Sequence, residues 1–439
     1  MRRRSFIAAV AGLAASRSER ASSAGVAPRV NADRLWRRLE QLSVFGRPAG
    51  GSFADGVSRT AFSDADVAGR EYVLGEMRGL RLAPRVDPAG NILGRSEASG
   101  SGLLPILFGS HIDSVRGGGN FDGDVGSMAA LEVVATLQES GRRTRHPLEV
   151  VIWAAEESNF GSGLHGSRMA VGQIEPGEWE RVQDGVRKGD ALRRIGGDPE
   201  RVAEARRAAG SFHAYLELHV EQGGMLDRAG VPIGIVEGIV TIDDYDVTVR
   251  GFANHAGTTP MDARRDALVA ASQLVLAVRQ IATGEAGKQV GTVGRLTVSP
   301  GAPNVVPGEV RMTVEFRDLS GETVRRLGEA LKARAAEVAR ETTTAIEVRL
   351  SSRHEGARAD PTIQGAIEKA AGRLGLQCMR LPSGAGHDAQ MMARLGPIGM
   401  IFVPSVGGVS HSPRELSRFE DCARGADVLL GTILELDEL

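Results

Sequence analysis

Apolar and polar positions follow two different rhythms along this chain. Predominantly apolar runs of strand length fall at residues 103–108, 148–154 and 215–220. Between them lie stretches with helical spacing, at 31–45, 65–78 and 125–140. Short runs with few polar positions and no strict alternation read as strands buried on both faces, and their alternation with helices predicts an α/β domain with a mostly parallel sheet. Weaker strand signals occur at 83–86 and after the Gly90-Asn91 turn. From residue 241 the order becomes strand 243–251, helix 261–281, strands 290–299 and 309–317, helix 322–340 and strand 345–350. That βαββαβ order is the ferredoxin-like split motif and predicts an α+β domain inserted into the first. The α/β rhythm then resumes with a helix at 361–374, a strand at 398–403 and a final helix at 418–434. The expected organisation is therefore one α/β domain from 31–240 and 355–439, interrupted by 241–354. Residues 175–210, charged and helical in pattern, read as a surface insertion.

Composition narrows the class. With 439 residues, 42% hydrophobic and 25% charged, the chain is long enough for two or three domains with real cores. A net charge of −2 gives no electrostatic case for nucleic acid or an anionic membrane as partner. Two cysteines, Cys378 and Cys422, exclude a disulfide framework and a Cys-rich zinc module. At the N-terminus, Arg2-Arg3-Arg4-Ser5-Phe6-Ile7 precedes a short apolar run ending at Ala15, with small residues at Ser22-Ser23-Ala24. This resembles a twin-arginine export signal within residues 1–30 and implies a periplasmic location; the alternative is a basic leader kept in the cytoplasm. The run is too short to span a membrane.

The chemistry gathers at strand ends. His111 and Asp113 alternate at the end of the first long strand and share a face. The glycines that follow let the backbone return Asp122 toward His111. An imidazole and a carboxylate converging on one point suit zinc, manganese or cobalt. Glu156 and Glu157 follow the 148–154 strand; adjacent carboxylates cannot face the same way, so one can bind metal while the other serves as general base. His219 and His411 each sit at or just past a strand, where open α/β sheets build their sites. In the inserted segment, His255 and Asn304 lie in loops and Arg317 ends a strand beside Asp318. An arginine fork is a natural clamp for a carboxylate, although a surface pair of Arg317 with Asp318 would also account for it.

Eight motifs in order resemble one family: Gly-Ser-His-Ile-Asp-Ser-Val, Asn-Phe-Asp-Gly, Ala-Glu-Glu, His-Val-Glu-Gln-Gly, Asn-His-Ala-Gly-Thr-Thr-Pro-Met, Pro-Asn-Val-Val-Pro-Gly, Ser-Gly-Ala-Gly-His-Asp-Ala and Ser-His-Ser-Pro. The family is that of N-carbamoyl-L-amino-acid hydrolases and allantoate amidohydrolases, within the dinuclear-metal aminoacylase and carboxypeptidase superfamily. The resemblance implies that His111, Asp122, Glu157, His219 and His411 hold two divalent ions (zinc, manganese or cobalt), with Asp122 bridging. It implies Glu156 as general base and Asp113 as acceptor of the second imidazole N–H of His111. It implies substrate contacts from Gln222, His255, Asn304, Arg317, Gly386 and His387, with His255 steadying an oxyanion. In relatives that histidine reaches the site from a partner subunit, which implies a homodimer through the inserted dimerisation or lid domain. The implied substrate is a small ureido compound bearing a carboxylate, with hydrolysis of an N-carbamoyl-L-amino acid to amino acid, carbon dioxide and ammonia. Allantoate and β-ureidopropionase-like activities are the alternatives, followed by acyl-amino-acid or dipeptide hydrolysis. A non-catalytic binding protein on this scaffold would have lost Glu156 or a ligand, and none is lost. Two positions depart from the family pattern, His165 and Gly407, and both are expected to line the pocket.

Overall fold

The structure, a computed structural model, describes residues 28–439 apart from residues 97, 99 and 101. Most of the leader read as an export signal lies outside the described residues.

Four strands form the centre of a nine-stranded sheet, in the spatial order Leu148–Trp153, Ile106–His111, Ala214–Val220 and Ile398–Val403. Neighbours among these four run parallel. Every one of their residues is buried, which is why the sequence shows mostly apolar runs rather than alternation. Antiparallel pairings appear toward the edges, where Ile92–Arg95 pairs with Leu148–Trp153 and Ile233–Ile239 pairs with Ile398–Val403. One apolar cluster joins a face of this sheet to the helices Ala32–Leu42, Asp124–Glu139, Pro361–Arg373 and Phe419–Asp437. A second, with Leu107, Trp153, Tyr215, Leu381, Met392 and Phe402, fills the other face.

Thr241–Arg250, Val290–Ser299, Glu309–Asp318 and Ala345–His354 form a separate four-stranded antiparallel sheet. Numbered along the chain, its strands lie in the order 2-3-1-4, as the split βαββαβ motif requires. The helices Ala267–Thr283 and Gly321–Thr342 complete its own apolar cluster. The first of these helices starts six residues later than the spacing predicts, because Pro260 and a short turn at Met261–Ala263 precede Asp266, which caps it.

The chain enters and leaves this sheet at neighbouring points. Ile239 and Ala357 are paired residues of adjacent strands, and the Gly356 N–H donates to Thr241 Oγ1 at 2.9 Å.

Two expectations need correction. Residues 175–210 are not a helical insertion: they hold short turns, a two-residue hairpin and one helix of two turns, Lys188–Arg194. Gly177, Gly185 and Gly196, all at positive φ, interrupt any longer helix. The segment is also anchored rather than loose, since Glu178 is buried with Lys188 Nζ at 2.6 Å and Arg168 Nη2 at 2.5 Å. The strand Ile233–Ile239, whose sequence carries two glycines, was not expected at all. Both cysteines are free, and no described helix is long and apolar enough to cross a membrane.

Candidate active site

The parallel strands end on one side, and their ends carry the polar residues. His111 is the last residue of its strand, and His219 is the last but one of Ala214–Val220. Each ring donates from Nδ1 to a backbone carbonyl, His111 to Asp113 at 3.0 Å and His219 to Val220 at 2.9 Å. Those bonds fix the tautomer and aim both Nε2 lone pairs inward, where that of His219 accepts the Gly123 N–H at 3.2 Å. Both Nε2 atoms face Asp122 Oδ1, at 3.6 Å from His111 and 3.1 Å from His219. Asp122 is brought there by the glycine run, and Gly123 then opens the helix Asp124–Glu139 at φ 67. A Cβ at Gly123 would lie 2.4 Å from the His111 ring, so only glycine fits.

The other oxygen of Asp122 serves a second cluster. His411 Nε2 lies 3.3 Å from Asp122 Oδ2 and 3.4 Å from Glu157 Oε1. The carboxylate therefore presents one oxygen to His111 and His219, and the other to His411 beside Glu157. Glu156 instead approaches the first cluster, with Oε2 3.8 Å from His111 Nε2. Ala155, at φ 52, turns the chain just before the pair. Gln222 and His411 also hold left-handed backbone, at φ 58 and 52, so three of the loops that meet here are turned by residues that are not glycine.

Charge is heavily one-sided here. Burial pushes Glu156 well up and Glu157 to about 7, the latter helped by Asp122. For His111, burial opposes the imidazolium but is outweighed by Glu156, Asp122 and Asp113, which raise its pKa. His411 is raised to about 9, chiefly by its hydrogen bond to Asp122. A buried group of carboxylates that draws protons onto its histidines is a group whose natural counter-charge is a cation. The donor types, three imidazoles and two carboxylates with a shared one between, fit two divalent ions.

Asp113 differs from the expectation. Its carboxylate is 3.7 Å from His111 Nδ1, whose partner is the Asp113 carbonyl instead. The carboxylate oxygens accept the backbone N–H groups of Glu156 and Glu157, each at 3.1 Å. It holds the Glu-Glu turn rather than the imidazole.

Gln222 reaches the centre, donating from Nε2 to Asp122 Oδ2 at 2.7 Å. His387 is buried behind His219, ring centroids 4.5 Å apart, with Nε2 2.8 Å from the Ser383 hydroxyl. It backs His219 and does not face open space, whereas Gly386 in the same loop is exposed. Arg317 pairs with Glu315, from Nε at 2.6 Å and Nη2 at 2.9 Å, and also donates to the Gly384 carbonyl. Asp318 is not its partner; positions two apart on a strand share a face. His255 and Asn304 lie elsewhere. They meet on a small ribbon, Asn254–His255 against Val305–Val306, near the Glu309 end of the strand whose other end carries Arg317. Eight residues of strand separate Glu309 from Arg317, about 26 Å. His255 Nδ1 accepts the N–H groups of Gly257 at 3.0 Å and Thr258 at 3.2 Å, so the neutral ring carries its proton on Nε2, and the residue is exposed.

His165 does not line the pocket. It is buried, edge-on to Phe62 and Trp179, with neither ring nitrogen hydrogen-bonded and Glu178 3.8 Å away. Burial lowers its pKa to about 4. Phe62 is the wall between it and a cavity of about 320 Å³ bounded also by Val115, Arg116, Glu157 and Phe160. Gly407 is exposed at φ 65, its N–H donating to Asp227. Two supporting residues escaped sequence reasoning. Arg59, fully buried, donates to the carbonyls of Ile112, Leu42 and Phe45 and pairs with Asp124. Glu415 accepts the N–H groups of Phe121 and Asp122. Neither stands in a patterned motif.

Known proteins agree with this architecture. The profile of Peptidase family M20/M25/M40 matches residues 107–435. An N-carbamoyl-L-amino acid amidohydrolase of Geobacillus stearothermophilus is 40% identical over 409 residues, covering 93% of this chain and 99% of the relative. A ureidoglycolate hydrolase of Oryza sativa subsp. japonica is 35% identical, covering 91% and 84%. Among solved structures, a hydantoinase/carbamoylase family amidase from Burkholderia multivorans superposes with a TM-score of 0.87 at 34% identity, covering 94% of this chain and 99% of that one. The chain belongs to Peptidase family M20/M25/M40, in its N-carbamoyl-L-amino-acid amidohydrolase group.

Proposed function

We propose that this protein is a dinuclear-metal amidohydrolase that cleaves the ureido C–N bond of an N-carbamoyl-L-amino acid. The observation that carries the reading is Asp122, with one oxygen turned to His111 and His219 and the other to His411 beside Glu157. When bound, two divalent ions polarise the ureido carbonyl and acidify water. Glu156 stands beside this centre without a place in either ligand set, and serves as general base, taking the proton from water and returning it to the departing nitrogen. Water adds, the C–N bonds break, and the products are amino acid, carbon dioxide and ammonia. Gln222 orients Asp122 and the substrate edge. Arg317, at the loop Gly384–Gly386, reads the α-carboxylate with the N–H groups that Glu315 leaves free.

His255 and Asn304 act from a second copy of the chain. Their separation from Arg317 along the strand, about 26 Å, exceeds the length of a small ureido acid. The exposed Nε2–H of His255 is a donor suited to a developing oxyanion. Exposed Val290 and Leu296 on the edge strand, with Val269 and Leu276 on the adjacent helix, supply an apolar face for the dimer. The Arg2-Arg3-Arg4 leader directs export; Arg3→Lys with Arg4→Lys would then leave the protein in the cytoplasmic fraction, and unchanged fractionation would refute this.

The test is ammonia release by metal-loaded protein against N-carbamoyl-L-amino acids, N-carbamoyl-β-alanine, allantoate, ureidoglycolate and N-acetyl amino acids, with free amine read in parallel. Chelator-sensitive ammonia from an N-carbamoyl-L-amino acid supports the reading. Turnover of ureidoglycolate or allantoate alone moves the protein to that branch, which the rice relative favours. Amine from acetyl compounds alone refutes the ureido assignment.

A further inference from the structure

Glu415 is buried, at 4% exposure, although it is charged and lies outside any helix or strand. Its Oε1 accepts the N–H groups of Phe121 and Asp122, both at 3.0 Å. Its Oε2 accepts the Ser410 hydroxyl at 2.7 Å, and that hydroxyl lies 3.3 Å from Asp122 Oδ2. One carboxylate therefore fastens two loops, the glycine run that delivers Asp122 and the segment that delivers His411. The glycine run is shaped to admit it: a Cβ at Gly119 would stand 2.3 Å from Glu415 Oε1.

The two halves of the centre depend on this tie unequally. His111 and His219 belong to strands held on both sides by parallel pairing. His411 belongs to a loop and sits in the left-handed region, directly after Ser410. A hydrogen bond to a residue that orients a ligand is a familiar means of tuning metal affinity. We propose that Glu415 is a positioning residue that sets the ion position built from Asp122 Oδ2, His411 and Glu157, and does so without touching substrate. The proposal rests on the two-ion reading above.

The test is stepwise titration of metal-free protein with Mn²⁺ or Co²⁺ by calorimetry, with elemental analysis of the loaded protein and a thermal melt of the metal-free form. The variants are Glu415→Gln, Ser410→Ala, which deletes one hydroxyl and is the milder perturbation, and His411→Ala as the reference for loss of that position. Wild type should take up two ions. Glu415→Gln should keep one at wild-type affinity and weaken the other by about 10- to 100-fold, with Ser410→Ala shifted in the same direction. The metal-free melts of wild type and Ser410→Ala should coincide. Equal weakening of both ions, or unchanged affinity in both variants, would overturn the proposal while leaving the two-ion reading intact. A wild type that takes up fewer than two ions would overturn both.

Discussion

Asp113→Asn separates two accounts of how the first imidazole and the Glu-Glu turn are held. The Asp113 carboxylate is buried, and its oxygens accept the N–H groups of Glu156 and Glu157 at 3.1 Å each. Asparagine has the same shape but turns an NH₂ toward one of those donors. Losing a hydrogen bond to a charged acceptor costs about 1.5–3 kcal/mol, and a buried N–H left without a partner costs a similar amount. Taking roughly 2–3 kcal/mol as the deficit in holding the turn, and 1.36 kcal/mol per decade, kcat/KM should fall about 30- to 150-fold. The assay is kcat/KM on the responsive ureido substrate, together with a two-step metal titration. His411→Ala and His219→Ala identify which step belongs to which cluster. The step belonging to Glu157 and His411 should weaken. The other should hold, because His111 Nδ1–H donates to the Asp113 carbonyl, which asparagine retains. Loss of the His111 and His219 step first would refute the reasoning and restore the carboxylate as the imidazole's partner. So would an unchanged kcat/KM.

Glu156→Gln should lower turnover by about 10²- to 10⁴-fold with both metal steps and substrate binding retained, measured by titration and equilibrium binding; persistent turnover would remove Glu156 as base. If His255 acts across the proposed dimer, mixing Glu156→Gln and His255→Ala protein, each inactive alone, should restore about a quarter of wild-type activity, since half of such dimers would be mixed and each would hold one complete site. No recovery after confirmed subunit exchange would place His255 in its own subunit's chemistry. His165 should make metal-free stability depend on pH. Its folded pKa of about 4 lies below the unfolded 6.5, so the unfolded chain binds more protons between those values. Stability is then full above about 6.5 and declines as pH falls toward 4, by up to roughly 3 kcal/mol. Urea melts across pH 4–7 should show this slope in wild type and lose it in His165→Leu.

Much of the fold was legible because its periodicities are pure. A strand buried on both faces, such as Leu148–Trp153, is apolar at every position but Glu149, so no period-two alternation confuses the pattern. The 2-3-1-4 sheet followed from element order alone. The Ile233–Ile239 strand was not legible, because Gly234 and Gly238 dilute its apolar run and mimic a turn. The 175–210 segment misled in the other direction: its charges look solvated, yet Glu178 and Lys188 are buried against each other. At the site, which side chains gather at the strand ends was readable, but their hydrogen-bond partners were not. That Arg317 binds Glu315 follows from strand alternation and could have been read. That Glu415 reaches back to Asp122 could not, because the contact spans 293 residues of sequence and no local pattern marks it.

The paired crossing at Ile239 and Ala357 has a consequence for how this architecture can be cut and rejoined. With Thr241 and Gly356 a hydrogen bond apart, the chain on either side of the four-stranded sheet ends almost where it began. Excision there would leave termini that a short turn can bridge, the circumstance in which insertions are gained and lost with least disturbance to a host fold. The remaining chain would keep His111, Asp122, Glu157, His219 and His411 on one continuous scaffold, and would part with His255, Asn304 and Arg317 together. On the proposed roles, ion capture and carboxylate reading would be carried by separable lengths of polypeptide, and that part of the specificity could be exchanged as one cassette.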